Sequence, residues 1–241
     1  MHDYNEATYG NTIAEIYDEL YQTDTATKAA VAFLAEHARQ GPALELGIGT
    51  GRIALPLAEA GVRIQGIDAS EAMVARLRAK AGGARIPVRM GSIASIPGDD
   101  QFSVIFTVFN TFFGLATQEE QVACFQSVAA HLALDGVFVM EAFVPDISRF
   151  IKNQTTWVSD VGLKHVCLDA AIHEPISQRV RLQHVVLSES GIRFYPVVFR
   201  YAWPSELDLM AKLAGLRLRE RWGGWNREPY TAQSHVSVYE R

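Results

Sequence analysis

Apolar and polar positions follow two alternating periods along the first 144 residues. Short apolar runs at 42–47, 62–68, 85–90, 102–109 and 137–143 have the length of strands. The run 102–109 is apolar nearly throughout, as a strand covered on both faces should be. Between these runs the spacing becomes helical. Val31, Leu34 and Ala38 share one face of 25–40, with Thr27 as the expected N-cap and Gly41-Pro42 as the stop. A helix over 50–60 follows the first run, and Ser70 caps another that ends at Gly82-Gly83. Thr117 and Glu120 form a capping box ahead of Val122, Phe125 and Val128. Ile13, Ile16, Tyr17 and Leu20 place a helix within 1–24.

Strands alternating with helices predict an α/β fold, a Rossmann-like doubly wound sheet that is mostly parallel. Residues 155–203 break that rhythm. They carry no long helical period and alternate as strands, clearest in 179–187 and 192–203, with Glu189-Ser190-Gly191 as a hairpin turn. This is read as an antiparallel β insertion after strand five. A helix over 205–214 follows, and 216–222 and 235–239 return to the main sheet, which gains an antiparallel C-terminal strand.

Composition narrows the function. A net charge of −5 removes the broad basic footprint of a nucleic-acid binder. No apolar run is long enough to span a bilayer, and the first residues carry no basic-then-apolar leader pattern, so a cytoplasmic protein is expected. Cys124 and Cys167 show neither metal-ligand nor disulfide spacing, so no metal site is implied.

The candidate chemistry begins at Ala43-Leu-Glu-Leu-Gly-Ile-Gly-Thr-Gly51. Three alternating glycines follow the first strand, and Asp68 ends the second. Such a unit lets the backbone approach a ligand closely and aims a carboxylate at ribose hydroxyls. A nicotinamide site wants G-x-G-x-x-G, and here Gly51 comes one residue too early.

The stretch Leu44 to Arg52 resembles motif I of class I S-adenosylmethionine-dependent methyltransferases, and the likeness covers 10–144 and resumes at 204–241. Ile16-Tyr17-Asp18-Glu19-Leu20-Tyr21 resembles the Y-D-x-x-Y segment of small-molecule methyltransferases of bacterial secondary metabolism, amino-sugar N-methyltransferases among them. Trp222 to Asn226 with Pro229-Tyr-Thr231 resembles their C-terminal hairpin. The resemblance implies an N-terminal helical cap over 1–40, a cofactor-binding domain over 41–154 and 204–241, and the insertion over 155–203. It implies that Gly47, Gly49 and Gly51 line the methionine part of S-adenosylmethionine, with Thr50 a further cofactor contact. Glu45 would hold its amino group, Arg52 and Tyr17 would lie near its carboxylate, and Asp68 would bind the ribose. Ala69 and Met73 would flank the adenine. Gly91, Ser92 and Ile93 follow strand three, where relatives often carry an Asp and this chain has Ser92. Asn110 would sit near the transferred methyl, and Phe109 would be a further cofactor contact.

The acceptor is expected to be a small molecule, methylated on nitrogen. An electron-rich carbon such as an indole position is a second reading, and a non-catalytic S-adenosylmethionine-binding assembly protein a third. Asn110-Thr-Phe-Phe113 lacks the prolines of the N-P-P-F segment found in nucleic-acid amino methyltransferases. Candidate catalytic groups are Glu141, within apolar strand five, His165 and Tyr21. Candidate substrate contacts are Tyr21, Phe113, Glu141 and Phe143, then Trp157, Tyr195, Trp203 and Trp225. The insertion is expected to be a lid over the site or the surface of a homodimer.

Overall fold

The computed structural model describes residues 4–21, 25–39, 41–231 and 233–241, so the cap boundary at residue 40 lies outside the described residues. Helices α1 (Glu6–Leu20) and α2 (Thr25–Ala38) come first. Then follow β1 (Ala43–Leu46), α3 (Ala54–Glu59), β2 (Ile64–Asp68), α4 (Glu71–Ala79), β3 (Val88–Met90) and β4 (Phe102–Thr107). Helix α5 (Gln118–His131) runs directly into β5 (Leu132–Phe143). The insertion comprises β6 (Gln154–Val161), β7 (His165–Glu174), β8 (Arg179–Ser188) and β9 (Gly191–Arg200). Helix α6 (Pro204–Leu213), β10 (Arg217–Trp222) and β11 (Ser234–Glu240) complete the chain.

Seven strands form the main sheet in the order β10-β11-β5-β4-β1-β2-β3. Strand β11 is antiparallel to both its neighbours, and the pairings among β1 to β5 are parallel. The order reverses between β1 and β4, and in open α/β sheets ligands bind beside the strand C-termini at that point. Leu46, Val104, Phe106, Val139 and Val238 are fully buried between the flanking layers. The insertion is a separate four-stranded meander, β6-β7-β8-β9.

Several expected boundaries move for local reasons. The helix after the glycines starts at Ala54, not at residue 50, because Gly51 takes φ +82°, outside the helical region. Strand five starts at Leu132, which pairs with Phe102. Residues 83–85 turn as a 3₁₀ segment, and β3 shortens accordingly. Thr27 does not cap α2. It sits inside the helix, buried, and its hydroxyl accepts from Arg52 Nη1 at 3.0 Å.

Helix α1 is capped reciprocally by Asn5 and Thr8 and lies across the strand tips. A Cβ at Gly10 would stand 2.6 Å from Ser70 Cβ, so a glycine is what lets α1 approach α4. Asn11 Oδ1 accepts from Ser70 Oγ at 2.7 Å at the same contact. The insertion is latched to the core where it rejoins the chain. Buried Arg200 donates to Gln121, Gln178 and Glu206 at 2.6, 3.1 and 2.7 Å.

Candidate active site

The glycine loop is shaped by its backbone. Gly47, Gly49 and Gly51 take φ of +80°, +55° and +82°, a region that side-chain-bearing residues rarely enter. The amides of Gly47 and Ile48 both donate to Ile67 O, which ties the tip of β1 to β2. Asp68 completes the tie, with Oδ2 accepting from Gly49 N at 2.7 Å and Oδ1 from Ser70 N at 2.8 Å. Each carboxylate oxygen keeps a further acceptor site. Burial pushes the Asp68 carboxyl up, against the amides of Ser70, Gly49 and Ala69. A Cβ at Gly49 would meet no atom within 4 Å, so this glycine opens on free space.

Glu45 is 2% exposed behind the loop. Its Oε2 has no hydrogen-bond partner among the described residues. Burial drives its carboxyl well above the usual range, Arg52 opposes this and Asp68 adds to it. A buried acceptor left without a donor fits a ligand that brings one, such as an ammonium group.

Helix α1 is pinned over this loop by charge. Asp18 Oδ1 accepts from Thr50 Oγ1 at 2.6 Å and from Lys80 Nζ at 2.8 Å. Tyr17 packs tilted against Tyr21 at 4.8 Å, Tyr21 meets the edge of Phe109 at 5.0 Å, and Arg52 lies 4.7 Å over the Phe109 ring. Burial raises the Tyr17 phenol to about 12, partly offset by Arg52.

At the tip of β4, Phe109 and Asn110 both take positive φ, +55° and +64°. Two successive non-glycine residues there store strain, and the neighbours hold them in place. Asn110 Oδ1 accepts from Phe143 N at 2.7 Å. Glu141 Oε2 accepts from Phe109 N at 2.7 Å, and its Oε1 accepts from Trp225 Nε1 at 2.9 Å. The expectation that Glu141 faces a substrate is corrected accordingly. The indole N–H that Glu141 holds belongs to the protein's own Trp225.

These elements surround a cavity of about 480 Å³. Its floor is Gly47, Gly49, Asp68, Ala69, Met73 and Ile93, and Asn110 and Phe109 form one corner. Tyr17 and Tyr21 of α1, Phe113 and Phe143 continue it, and Trp157 comes from the insertion. Other candidates are elsewhere. Thr50, Gly51 and Arg52 stand behind the loop, outside the lining. Ser92 does not line the cavity, and its hydroxyl donates to Glu6 Oε1 at 2.8 Å. Tyr195 is packed against Ile13 and Met73 between the insertion and α1. Trp203 stands half-exposed before α6, and Trp225 packs edge-on to Phe33 at 5.6 Å. His165 is on the cavity side of β7 but four residues before Asp169, roughly 13 Å along the strand. There it pairs with Asp160 at 2.5 Å, so the structure does not bring it to the site.

Lining residues that sequence reasoning did not assign to the site include Tyr4 and Tyr9 of the N-terminal segment, and Asp169 and His184 of the insertion. The signal for the last two was present. Counting back from the turn at 175–178 puts Asp169 opposite His184, since Glu174 pairs with Arg179.

Residues 43–136 match the family described as methyltransferase domain. Together with the sheet order and the glycine loop, this defines a class I S-adenosylmethionine-dependent methyltransferase, and the chain belongs to that family. Its cofactor is S-adenosylmethionine. Among solved structures the chain is similar to the CcbJ methyltransferase from Streptomyces caelestis, at 39% identity and a TM-score of 0.93 over 98% of this chain and 99% of that one. It is similar to the cypemycin N-terminal methyltransferase of a Streptomyces species, 27% identical over 98% of both chains. A shorter likeness, 30% identity over 56% of this chain and 55% of the other, links it to dTDP-3-amino-3,6-dideoxy-alpha-D-glucopyranose N,N-dimethyltransferase of Streptomyces fradiae.

Proposed function

We propose that this enzyme methylates an amine nitrogen of a small natural product. One observation carries the reading. The charged groups lining the cavity are Glu6, Asp68 and Asp169, and no Lys or Arg is among its described lining residues. An acidic lining favours cationic and amine-bearing ligands over acidic ones. Two relatives named above are nitrogen methyltransferases, which supports the same class of acceptor.

When bound, S-adenosylmethionine supplies an electrophilic methyl on sulfur. The chain's part is to hold the acceptor in line with it. Asp68 would take the ribose hydroxyls through its remaining acceptor sites, and Glu45 Oε2, just behind the cavity lining, would take the amino group. Met73, Ala69 and Ile93, which line the cavity, would flank the adenine, and Asn110 would lie near the methyl. Tyr21, Phe113, Phe143 and Trp157 wall the acceptor. The exposed side chains Val158, Ile172 and Phe194 on the insertion support a homodimer surface, which size-exclusion chromatography tests. The cytoplasm, where S-adenosylmethionine is made, is the proposed location.

The aromatic wall supports carbon methylation of an indole as the second reading. A panel separates the two: an amino-sugar nucleotide, an alanyl peptide with a free N-terminus, tryptamine and N-acetyltryptamine, each with S-adenosylmethionine. N-methylated products from the first three and none from the last are expected. Methylation confined to indole carbon sinks the nitrogen reading.

A further inference from the structure

The insertion's cavity wall is one cross-strand row. Trp157 of β6 faces Asp169 of β7, Asp169 faces His184 of β8, and His184 faces Tyr195 of β9. All four share one face of the meander, because facing residues in an antiparallel ladder point to the same side. Tyr195 closes the row against α1 and α4, and Trp157 is held by the Arg149 guanidinium 4.5 Å over its ring. The two polar members in the middle therefore sit on a braced wall. Their side chains are 8% and 16% exposed for Asp169 and His184, and both residues line the cavity.

Their arrangement is directional. His184 Nδ1 lies 2.8 Å from Asp169 Oδ1. A carboxylate only accepts, so an imidazole proton belongs on Nδ1, and in the neutral ring Nε2 carries the lone pair. That Nε2 is buried and has no hydrogen-bond partner among the described residues. Leaving a buried acceptor unpaired is costly, and the cost is recovered when a donor arrives. His131, by contrast, uses both ring nitrogens on backbone carbonyls, Ser127 O and Gly98 O, at 2.8 and 2.7 Å. His235 in β11 shares the unpartnered Nε2 but stands away from the cavity, so the cavity lining is what sets His184 apart.

We propose that Asp169 and His184 form a subsite for the methyl acceptor. His184 Nε2 accepts a hydrogen bond from an N–H or O–H of that molecule, and Asp169 is the positioning residue that fixes the tautomer. The ligand class is an amine or alcohol with a donor placed against the Trp157–Phe143 side of the cavity. The role as an acceptor subsite rests on the methyl-transfer reading. The tautomer and the donor preference rest on geometry alone.

The test uses the full chain with ¹⁵N-labelled histidine, loaded with S-adenosylhomocysteine. Two-bond ¹H–¹⁵N spectra should show His184 protonated on Nδ1 and bare on Nε2. Asp169→Asn should shift or average that pattern. The opposite tautomer, or a spectrum indifferent to Asp169→Asn, overturns the arrangement. Titration with tryptamine and with the alanyl peptide should move the Nε2 resonance of His184, and no shift with either probe overturns the subsite even if neither is ever methylated. With whichever panel amine turns over fastest, His184→Ala should raise KM at least tenfold while S-adenosylhomocysteine affinity stays within twofold. His184→Gln, which can present a carbonyl oxygen, should recover part of that loss, and a merely structural histidine would show no such recovery. Unchanged KM in His184→Ala also overturns the subsite. Absence of any methylation across the panel would count against the nitrogen reading only.

Discussion

Gly47, Gly49 and Asp68 reach the cavity from the tips of parallel strands, whereas Trp157, Asp169 and His184 reach it from the flat of an antiparallel sheet. At the tips, backbone amides and one carboxylate do most of the shaping, and the positive φ values leave little freedom of residue type. On the flat wall, side chains alone define the surface. Any of them can be exchanged while the ladder hydrogen bonds persist. The first arrangement suits a ligand that never changes, and the second suits a ligand that differs between relatives. The two halves meet through α1 against β9, through a shared apolar cluster that takes in Ala171, Val180 and the Phe143–Phe199 ring contact, and through the Arg200 latch at the far end.

That division can be broken most forcefully at the latch. Arg200→Ala leaves buried Gln121 without its donor and half-buried Glu206 without its cation, at about 3 kcal/mol of stability in urea denaturation. If the halves are independent, S-adenosylhomocysteine affinity stays within threefold by calorimetry. A tenfold loss would show that the wall also shapes the cofactor half.

Acid should separate the halves by pH window. Burial, with Arg221 adding, lowers the His235 imidazole in β11 from 6.5 to about 4, against the opposite pull of Asp208. The unfolded chain therefore takes up a proton first, and the sheet loses roughly 3 kcal/mol as pH falls from 6.5 towards 4. His235→Asn should flatten that part of the stability curve. At Glu206 burial acts to raise the carboxyl, but hydrogen bonds from Gln178, Arg200 and Gln118 outweigh it and hold it below its usual range. Its contribution is present above the ordinary glutamate value and fades only as pH falls below it. Denaturation curves that lose stability in one common step would erase the distinction.

Smaller effects sharpen each half in turn. Asp68→Ala should weaken cofactor binding by about 1.5–3 kcal/mol, the worth of charge-assisted hydrogen bonds. Affinity unchanged within twofold would remove Asp68 from the ribose. Glu141→Gln turns an amide NH₂ towards either Phe109 N–H or Trp225 N–H, costing about 1–3 kcal/mol of stability. Turnover should fall through the strained Phe109–Asn110 turn, with cofactor affinity retained.

Legibility in the sequence follows the same division. Asp68 was readable because it ends a strand, and a strand tip needs only local pattern to locate, whereas Met73 and Ile93 followed from the resemblance to the methyltransferase family. Phe113, Phe143 and Trp157 were readable as aromatics near the site. Glu141 was readable as a carboxylate in an apolar strand, but not its direction, because the partner indole comes from Trp225, far along the chain. His165 looked as good as His184 in one dimension, since both are histidines in alternating strands.

By itself, then, the sequence determined the parallel sheet, the methyl-donor loop and the presence of an antiparallel insertion. Hydrophobic period, glycine spacing and the Asp68 tip are properties of short stretches whose backbone preferences act locally. Tertiary structure alone decided that Asp169 and His184 pair within the cavity lining while His165 pairs with Asp160 outside it. It also decided that Glu141 serves the Phe109–Asn110 turn. Those outcomes depend on ladder register and on which side chains meet across strands, and a shift of one residue would have turned every side chain to the other face.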